Sequence, residues 1–100
     1  MLFRSSDIQG FRAQMVFLGV NGLSADFGFT TSDSEEAAVK EAMMKSSQEN
    51  VVLADHTKFG AVFPAVFANP SQIDRLITDI DAPMAQVEAL AALGVEVELA

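Results

Sequence analysis

The sequence predicts an α/β fold with a largely parallel sheet and flanking helices. Short apolar runs, which are typical of buried strands, alternate along the chain with segments of helical pattern. Turn-forming asparagine, glycine and proline residues lie between these segments. The pattern covers residues 14–100. Residues 1–13 are a separate N-terminal segment, in which Ser6 or Asp7 is placed to cap a short helix that Gly10 weakens.

The composition predicts one small domain with a hydrophobic core, since half of the 100 residues are apolar. Six basic and fourteen acidic residues give a net charge of −8, so the chain itself is not expected to bind DNA. The absence of cysteine excludes disulfides and thiolate metal sites. No apolar run approaches the roughly 20 residues that span a bilayer. We therefore expect a cytoplasmic protein without a membrane partner.

The first predicted strand is the continuous apolar run at residues 15–20, and Asn21 and Gly22 follow it. An Asn-Gly pair favours a turn with positive φ. Asn21 is therefore explained as a turn former, or alternatively as a side chain whose amide reaches a ligand at the strand end. Both interpretations stay open on the residues alone.

A polar loop is predicted over residues 24–34, with Phe27 and Phe29 folding back onto the core. Ser32 and Glu35 have the spacing of a capping box, so a helix is expected to begin at this point. The acidic residues at its start suit the positive end of a helix dipole and argue against a phosphate cradle there.

This helix is expected to continue to about residue 48. Glu36 and Lys40 are four residues apart, which supports an ion pair on its polar side. Lys40 is accordingly predicted to be a solvated surface charge rather than a ligand.

The central strand is predicted at residues 51–54, and Asp55, His56, Thr57 and Lys58 follow it at once. Ligands of open α/β sheets bind outside the carboxyl ends of the strands. Asp55 can accept from hydroxyls and Lys58 can donate to a phosphate, so both can address one ligand. On the residues alone, an Asp55–Lys58 ion pair or Asp55 capping its own loop is the simpler explanation. His56 is expected to be an exposed bystander.

Residues 61–67 are strand-like, but Pro64 lacks a ladder donor, so this strand is expected at a sheet edge or broken there. Residues 76–78 form a further short strand, which Asp79 and Asp81 follow. A metal site at these aspartates is not predicted, because Asp81 is explained as a helix cap and no histidine accompanies the pair.

An alanine-rich helix is predicted over residues 83–93, and Gly94 ends it. Residues 95–99 alternate strictly between apolar and acidic, which predicts a half-buried outer strand. Glu96 and Glu98 on such a strand discourage pairing with the edge of another chain.

The stretch Leu53-Ala54-Asp55-His56-Thr57-Lys58-Phe59-Gly60 resembles the signature of the sugar-phosphate sensor domain in DeoR-type bacterial transcriptional repressors. Further segments match that family in order and spacing: residues 17–24, 28–31, 36–40 and 73–79. The resemblance covers roughly residues 14–100 and implies the C-terminal portion of a sensor domain. The winged helix-turn-helix of the family, and the glycine-rich phosphate loop of the first half of the sensor, have no counterpart in this sequence.

The resemblance implies a Rossmann-like architecture, shared with ribose-5-phosphate isomerase, glucosamine-6-phosphate deaminase and CoA transferases. It also implies binding of a phosphorylated sugar effector, with the inducer response associated with Asp55 and Lys58. The related enzymes place a catalytic carboxylate near Asn21, where the family more often has aspartate. Asparagine cannot act as a base at neutral pH, which favours binding over chemistry.

The predicted ligand-binding residues are thus Asp55, Lys58, Asn21 and Gly22, with no catalytic residue, metal or cofactor. DNA would be contacted only through a helix-turn-helix outside this sequence. Self-association is expected, because a sheet without its first half exposes apolar area. The alternatives are a fragment of an isomerase- or deaminase-like enzyme and an oligomerisation module.

Overall fold

The computed structural model describes residues 13–100, so the short helix expected within the N-terminal segment lies outside the described residues. In chain order the elements are β1 (Ala13–Gly19), β2 (Gly22–Ser24), β3 (Gly28–Thr31), α1 (Ser34–Lys45), β4 (Ser47–Leu53), a 3-10 turn (His56–Lys58), β5 (Ala65–Ala68), a second 3-10 turn (Pro70–Gln72), β6 (Arg75–Thr78), α2 (Met84–Ala92) and β7 (Glu96–Leu99).

Four strands form a parallel sheet in the order β1-β4-β6-β7. Leu18, Val52, Leu76 and Val97 are register partners across it and point toward the hydrophobic core. The α/β class, the largely parallel sheet and the outer position of the last strand are therefore confirmed. The helices flank the sheet as predicted, with α1 against β4 and α2 against β7.

A second, antiparallel sheet has the order β2-β3-β5 and was not predicted. The loop predicted over residues 24–34 is wrong, because it contains strand β3, which is buried throughout. The hydroxyl of Thr30 donates to the Gly22 carbonyl at 3.1 Å and so is satisfied without water. This bonding lets a polar segment serve as a core strand. Phe29 lies in the core as predicted, whereas Phe27 is exposed.

The Asn21-Gly22 pair does not form the predicted turn with positive φ. Among residues 13–100, positive φ occurs only at Gly28, Gly60 and Gly94. Gly22 instead begins β2, where a Cβ would lie 2.1 Å from the carbonyl oxygen of Ala61. Close backbone approach therefore explains this glycine.

The ends of α1 differ from the prediction. Asp33 rather than Ser32 is the N-cap, and its Oδ1 accepts from the Glu36 N–H at 2.8 Å. The helix ends at Lys45, because the polar residues that follow it pair with β1 and form the first half of β4. The central strand consequently begins at Ser47, earlier than its apolar run suggests.

The C-terminal elements follow the prediction with one exception. Strand β5 begins directly after Pro64 and lies at the edge of the antiparallel sheet, as that proline predicts. The exception is Asp81, because Pro83 rather than Asp81 occupies the N-cap position of α2. Gly94, with φ of 99°, follows the end of α2 as predicted.

The parallel sheet has one covered face and one partly open face, on which Val51 is fully buried. The covered face packs against both helices and the antiparallel sheet and holds the core residues Leu18, Leu23, Phe29, Ala37, Met44, Val52, Phe67, Ala68, Ile73, Leu76, Leu90 and Val95. On the opposite face Met15, Phe17 and Leu53 are 38%, 54% and 46% exposed. None of the helices within residues 13–100 is long and apolar enough to cross a membrane.

Candidate functional site

Three polar side chains follow the parallel strands on a single row. Gly19 pairs with Leu53, and Leu53 pairs with Ile77, so these residues mark the same level on β1, β4 and β6. Asn21, Asp55 and Asp79 each come two residues later. Since neighbouring strands are about 4.8 Å apart, the three side chains start from adjacent positions at one edge of the sheet. Asn21, Asp55 and Asp79 thus follow the carboxyl ends of three neighbouring strands.

Asp55 holds the 3-10 turn that carries the rest of the motif. Its Oδ1 accepts from the Thr57 N–H at 2.8 Å and from the Thr57 hydroxyl. The hydrogen bond from the Thr57 hydroxyl is the main cause that lowers the pKa of the Asp55 carboxyl. Within residues 13–100 no ion pair joins Asp55 to Lys58. Of the two simple explanations for Asp55, an ion pair with Lys58 and a cap of its own loop, the structure therefore contains the cap.

Lys58 closes the same turn, with its N–H donating to the Asp55 carbonyl at 3.2 Å. Its side chain is half-buried. The Gly60 N–H donates to the Leu23 carbonyl at 2.9 Å, which ties the loop to β2 of the antiparallel sheet. Both ends of the loop are therefore anchored, and the ammonium group is carried on a fixed backbone.

His56 is bonded to Asp79 and is not a bystander. The imidazole Nδ1 donates to Asp79 Oδ2 at 2.7 Å, because a carboxylate can only accept. This hydrogen bond to Asp79 is the main cause that raises the pKa of His56, and it is also the main cause that lowers the pKa of Asp79. The contact joins the loop after β4 to the residue after β6 and stabilises the imidazolium form.

Asp81 lies beside this pair, so the expectation that no histidine accompanies the two aspartates is wrong. One ligand atom from each of His56, Asp79 and Asp81 lies within 4.8 Å of the others. Such spacing is also common among exposed acidic groups without a metal. Because His56 Nδ1 is committed to Asp79 and the cluster is open to solvent, we assign no metal to it.

Asn21 belongs to a hydrogen-bonded chain behind the row. The Thr31 hydroxyl lies 2.7 Å from Asn21 Oδ1 and 2.5 Å from Glu36 Oε2. A hydroxyl carries one proton, so it donates to one of these oxygens at a time. The chain joins the end of β1 to β3 and to the first turn of α1, and it orients the Asn21 amide.

Lys40 also turns toward this end of the sheet, where it is a partly exposed charge with contacts that were not predicted. Its ammonium donates to the Gly19 carbonyl at 2.9 Å and lies 5.5 Å from the centre of the Phe67 ring. Lys40 thereby satisfies the last carbonyl of β1 and contacts an aromatic face. With both contacts made inside the domain, it serves the structure rather than a ligand.

A depression of about 570 Å³ lies away from this row, beside the last turn of α1 and the middle of β4. Its lining residues are Glu41, Met44, Lys45, Asn50, Val66, Phe67, Ala68, Asn69 and Gln72. None of the predicted ligand residues contributes to it. We place the candidate site at the carboxyl ends of the strands, because the charged and hydrogen-bonding side chains converge there.

Two residues of the site escaped the sequence-based prediction. Asp79, like Asp55, comes directly after a predicted strand, and that shared position is a signal that would have found it. His56 carries no such signal, because its partner lies 23 residues away. Only the parallel pairing of β4 and β6 brings the two side chains together.

Comparison with known proteins identifies the family. Residues 3–80 match the family model described as DeoR C terminal sensor domain. Over 71 residues the chain is 37% identical to the "Uncharacterized HTH-type transcriptional regulator FruR" of Bacillus subtilis, covering 71% of this chain and 28% of that protein. Over 83 residues it is 35% identical to the "HTH-type transcriptional regulator GlpR" of Haloferax volcanii, covering 83% of this chain and 32% of that protein.

A third relative is the "Glycerol-3-phosphate regulon repressor" of Escherichia coli, 27% identical over 92 residues, which are 92% of this chain and 36% of that repressor. The chain thus spans about a third of the length of these relatives, between 28% and 36%. The relatives are named as transcriptional regulators and not as enzymes. The family match covers most of the chain, which therefore belongs to the DeoR C-terminal sensor domain family.

Proposed function

We propose that this chain is the effector-sensing part of a DeoR-type transcriptional repressor and that it binds a phosphorylated sugar without catalysing a reaction. The observation that carries the proposal is the row of Asn21 and Asp55 at the carboxyl ends of neighbouring parallel strands, with Lys58 on the adjoining turn. The name of one relative, a glycerol-3-phosphate regulon repressor, supports a phosphate ester as the ligand.

The proposed roles follow from the chemistry of the side chains. Lys58 supplies a charge-assisted contact to the phosphate. Asp55 holds the turn through Thr57 and offers its second oxygen to a sugar hydroxyl. Asn21 hydrogen-bonds the ligand from the end of β1, and Gly22 lets the backbone of β2 approach Ala61 closely beside it.

The low basicity of the Asp55 and Asn21 side chains supports binding rather than catalysis. A general base should have a pKa near the working pH. The pKa of Asp55 is instead lowered by its bonds to Thr57, which makes this carboxylate a weaker base. Asn21 cannot act as a base at all.

The function also implies partners. With a net charge of −8, the domain is not expected to hold DNA phosphates, so operator binding would come from a helix-turn-helix elsewhere in the protein. We place the protein in the cytoplasm, where operator DNA and sugar phosphates are both present.

The test measures binding of ribose 5-phosphate, glucose 6-phosphate, fructose 6-phosphate, fructose 1-phosphate and glycerol 3-phosphate by calorimetry. Lys58→Ala should weaken every ligand that binds by about ten- to a hundredfold, which corresponds to about 1.5–3 kcal/mol for a charge-assisted bond. Lys45→Ala is the charge-matched control, because Lys45 lines the depression near the middle of β4. If only Lys45→Ala reduced the affinity for the ligands, the binding site would lie in that depression.

Asp55→Asn should weaken these same ligands, while the amide oxygen can still accept from the Thr57 N–H. Thermal unfolding of both site variants checks that the fold is retained. If no ligand of the set binds the wild-type chain, the proposed function is wrong.

A further inference from the structure

Two buried oxygens at the end of β6 have no hydrogen-bond partner within the described residues. They are Thr78 Oγ1 and Asp79 Oδ1. The Thr78 side chain is buried, with the residue only 4% exposed, and Asp79 Oδ1 is buried although its side chain as a whole is partly open. The Asp79 carboxylate is thus enclosed at Oδ1, while its Oδ2 is bonded to His56.

His56 is bonded to the Asp79 carboxylate through one ring nitrogen, and its other ring nitrogen has no hydrogen-bond partner among residues 13–100. Its Nδ1 is bonded to Asp79, and 45% of its side chain is exposed. A histidine whose Nδ1 is held by a carboxylate presents Nε2 in a set orientation. Nε2 is a donor when the ring is protonated and an acceptor when it is neutral.

The charges around the His56 imidazole indicate which group of a ligand can bind beside it. Asp55 faces it from its own loop, and Asp79 and Asp81 face it from the segment after β6. Three carboxylates surround the imidazole, and the nearest ammonium group is that of Lys58, so negative charge predominates here and disfavours a phosphate dianion. A neutral hydroxyl group suits it, since a hydroxyl donates to one oxygen and accepts from a nitrogen.

We propose that His56 and Asp79 form the hydroxyl-reading part of the effector site. His56 Nε2 contacts a sugar hydroxyl and is a specificity-determining residue. Asp79 is a positioning residue that holds the ring through the bond between His56 Nδ1 and Asp79 Oδ2. The inference rests on the proposed sugar-phosphate function. It adds that the two residues contact different parts of the ligand, Lys58 the phosphate and His56 the sugar.

The test compares the pattern of affinities across the same five phosphate esters. Wild type should prefer some of them by about tenfold or more, because a site built to bond a hydroxyl rejects ligands that lack it. His56→Ala should reduce the binding of the preferred ligands by about tenfold and that of the weakest by less than about threefold, so that the preference largely disappears. Lys58→Ala should weaken all ligands by a common factor and keep their order.

Gln48→Ala is the matched control, because Gln48 is an exposed residue near the start of β4. Equal loss of every ligand in His56→Ala would place His56 at the phosphate and overturn the inference. Unchanged affinities in that variant, or a wild type without preference, would also overturn it while the proposed function stands. Failure of all ligands to bind wild type would overturn both.

The role of Asp79 is tested by the pH profile of binding. The affinity of the preferred ligand should change as His56 titrates, and Asp79→Asn should move that change to lower pH, because the bond that favours the imidazolium is weakened. A merely structural role for Asp79 would lower affinity without moving the midpoint, and that outcome would exclude it as a positioning residue.

Discussion

Gly22 lies at the start of β2 against the backbone of Ala61, and this contact leads to a prediction at the residue scale. Gly22→Ala should lower the free energy of unfolding by about 1–3 kcal/mol or more, because the new methyl group would meet the Ala61 carbonyl at 2.1 Å. Gly19→Ala is the control, since nothing lies within 4 Å of its added Cβ. Chemical denaturation measures both variants. Equal stability of the two would contradict the packing role of Gly22.

The ion pair between His56 and Asp79 makes a second prediction for single residues. His56 is the only histidine, so its titration can be followed directly by NMR. Its pKa should lie above the model-peptide value of 6.5, mainly because of the Asp79 bond. Asp79→Asn should lower this pKa more than Asp81→Asn, because Asp81 acts only through its charge.

The sign of the pH dependence follows from both shifts. The raised pKa of His56 means that its contribution to stability is complete below pH 6.5 and is lost as the pH rises through the folded pKa. The lowered pKa of Asp79 means that its contribution is present above pH 3.8 and is lost as the pH falls. Asp79→Asn should therefore cost stability chiefly between these values. A uniform loss at all pH values would point to packing instead.

At the scale of elements, the start of α1 tests which residue caps the helix. Asp33→Ala should lower the free energy of unfolding by about 1 kcal/mol, because the Glu36 N–H loses its acceptor. Ser32→Ala should have little effect, although Ser32 has the sequence spacing of a capping box. Comparison of the two denaturation midpoints decides between them. A larger loss for Ser32→Ala would contradict the cap seen here.

The elements also show how a polar segment becomes part of the core. Thr30 of β3 bonds the Gly22 carbonyl and accepts from the Phe63 N–H at 3.1 Å. Each bond pairs the hydroxyl with a backbone group, so the buried side chain of Thr30 is satisfied. The Thr30 hydroxyl therefore takes the place of water as a hydrogen-bond partner. As a result, a strand without an apolar run is stable between its neighbours.

At the scale of the whole molecule, the partly open face of the parallel sheet leads to a prediction about assembly. Parallel sheets are normally covered on both faces, whereas Met15, Phe17 and Leu53 are exposed here. We expect the chain to self-associate through this face, as measured by sedimentation across a concentration series. Phe17→Ser should weaken the association.

Phe27→Ser is the control for that experiment, because Phe27 is 61% exposed in the turn between β2 and β3, away from the partly open face. Equal effects of the two substitutions would indicate unspecific association. A chain that stays monomeric at high concentration would show that this face needs no partner.

Much of this fold was predictable because its signals are local. The apolar runs of β1, β4 and β6 predict buried strands, and the alternation of β7 predicts a half-buried one. Together these patterns predict a parallel sheet. The polar residues directly after two of these runs, Asn21 and Asp55, predict a site at the carboxyl edge. The structure pairs Gly19 with Leu53, so Asn21 and Asp55 each lie two residues beyond the same level of the sheet.

The remaining features depend on contacts between distant parts of the chain, which no local pattern encodes. The burial of β3 requires β2 and β5 on either side, and the reason for Gly22 is the backbone of a residue 39 positions later. His56 meets Asp79 only because β4 and β6 are parallel neighbours. The sequence by itself thus determined the class of the fold and predicted the edge of the sheet at which we propose the site. The tertiary structure alone decided which side chains are paired there, because hydrogen bonds and close contacts depend on distances in space rather than along the chain.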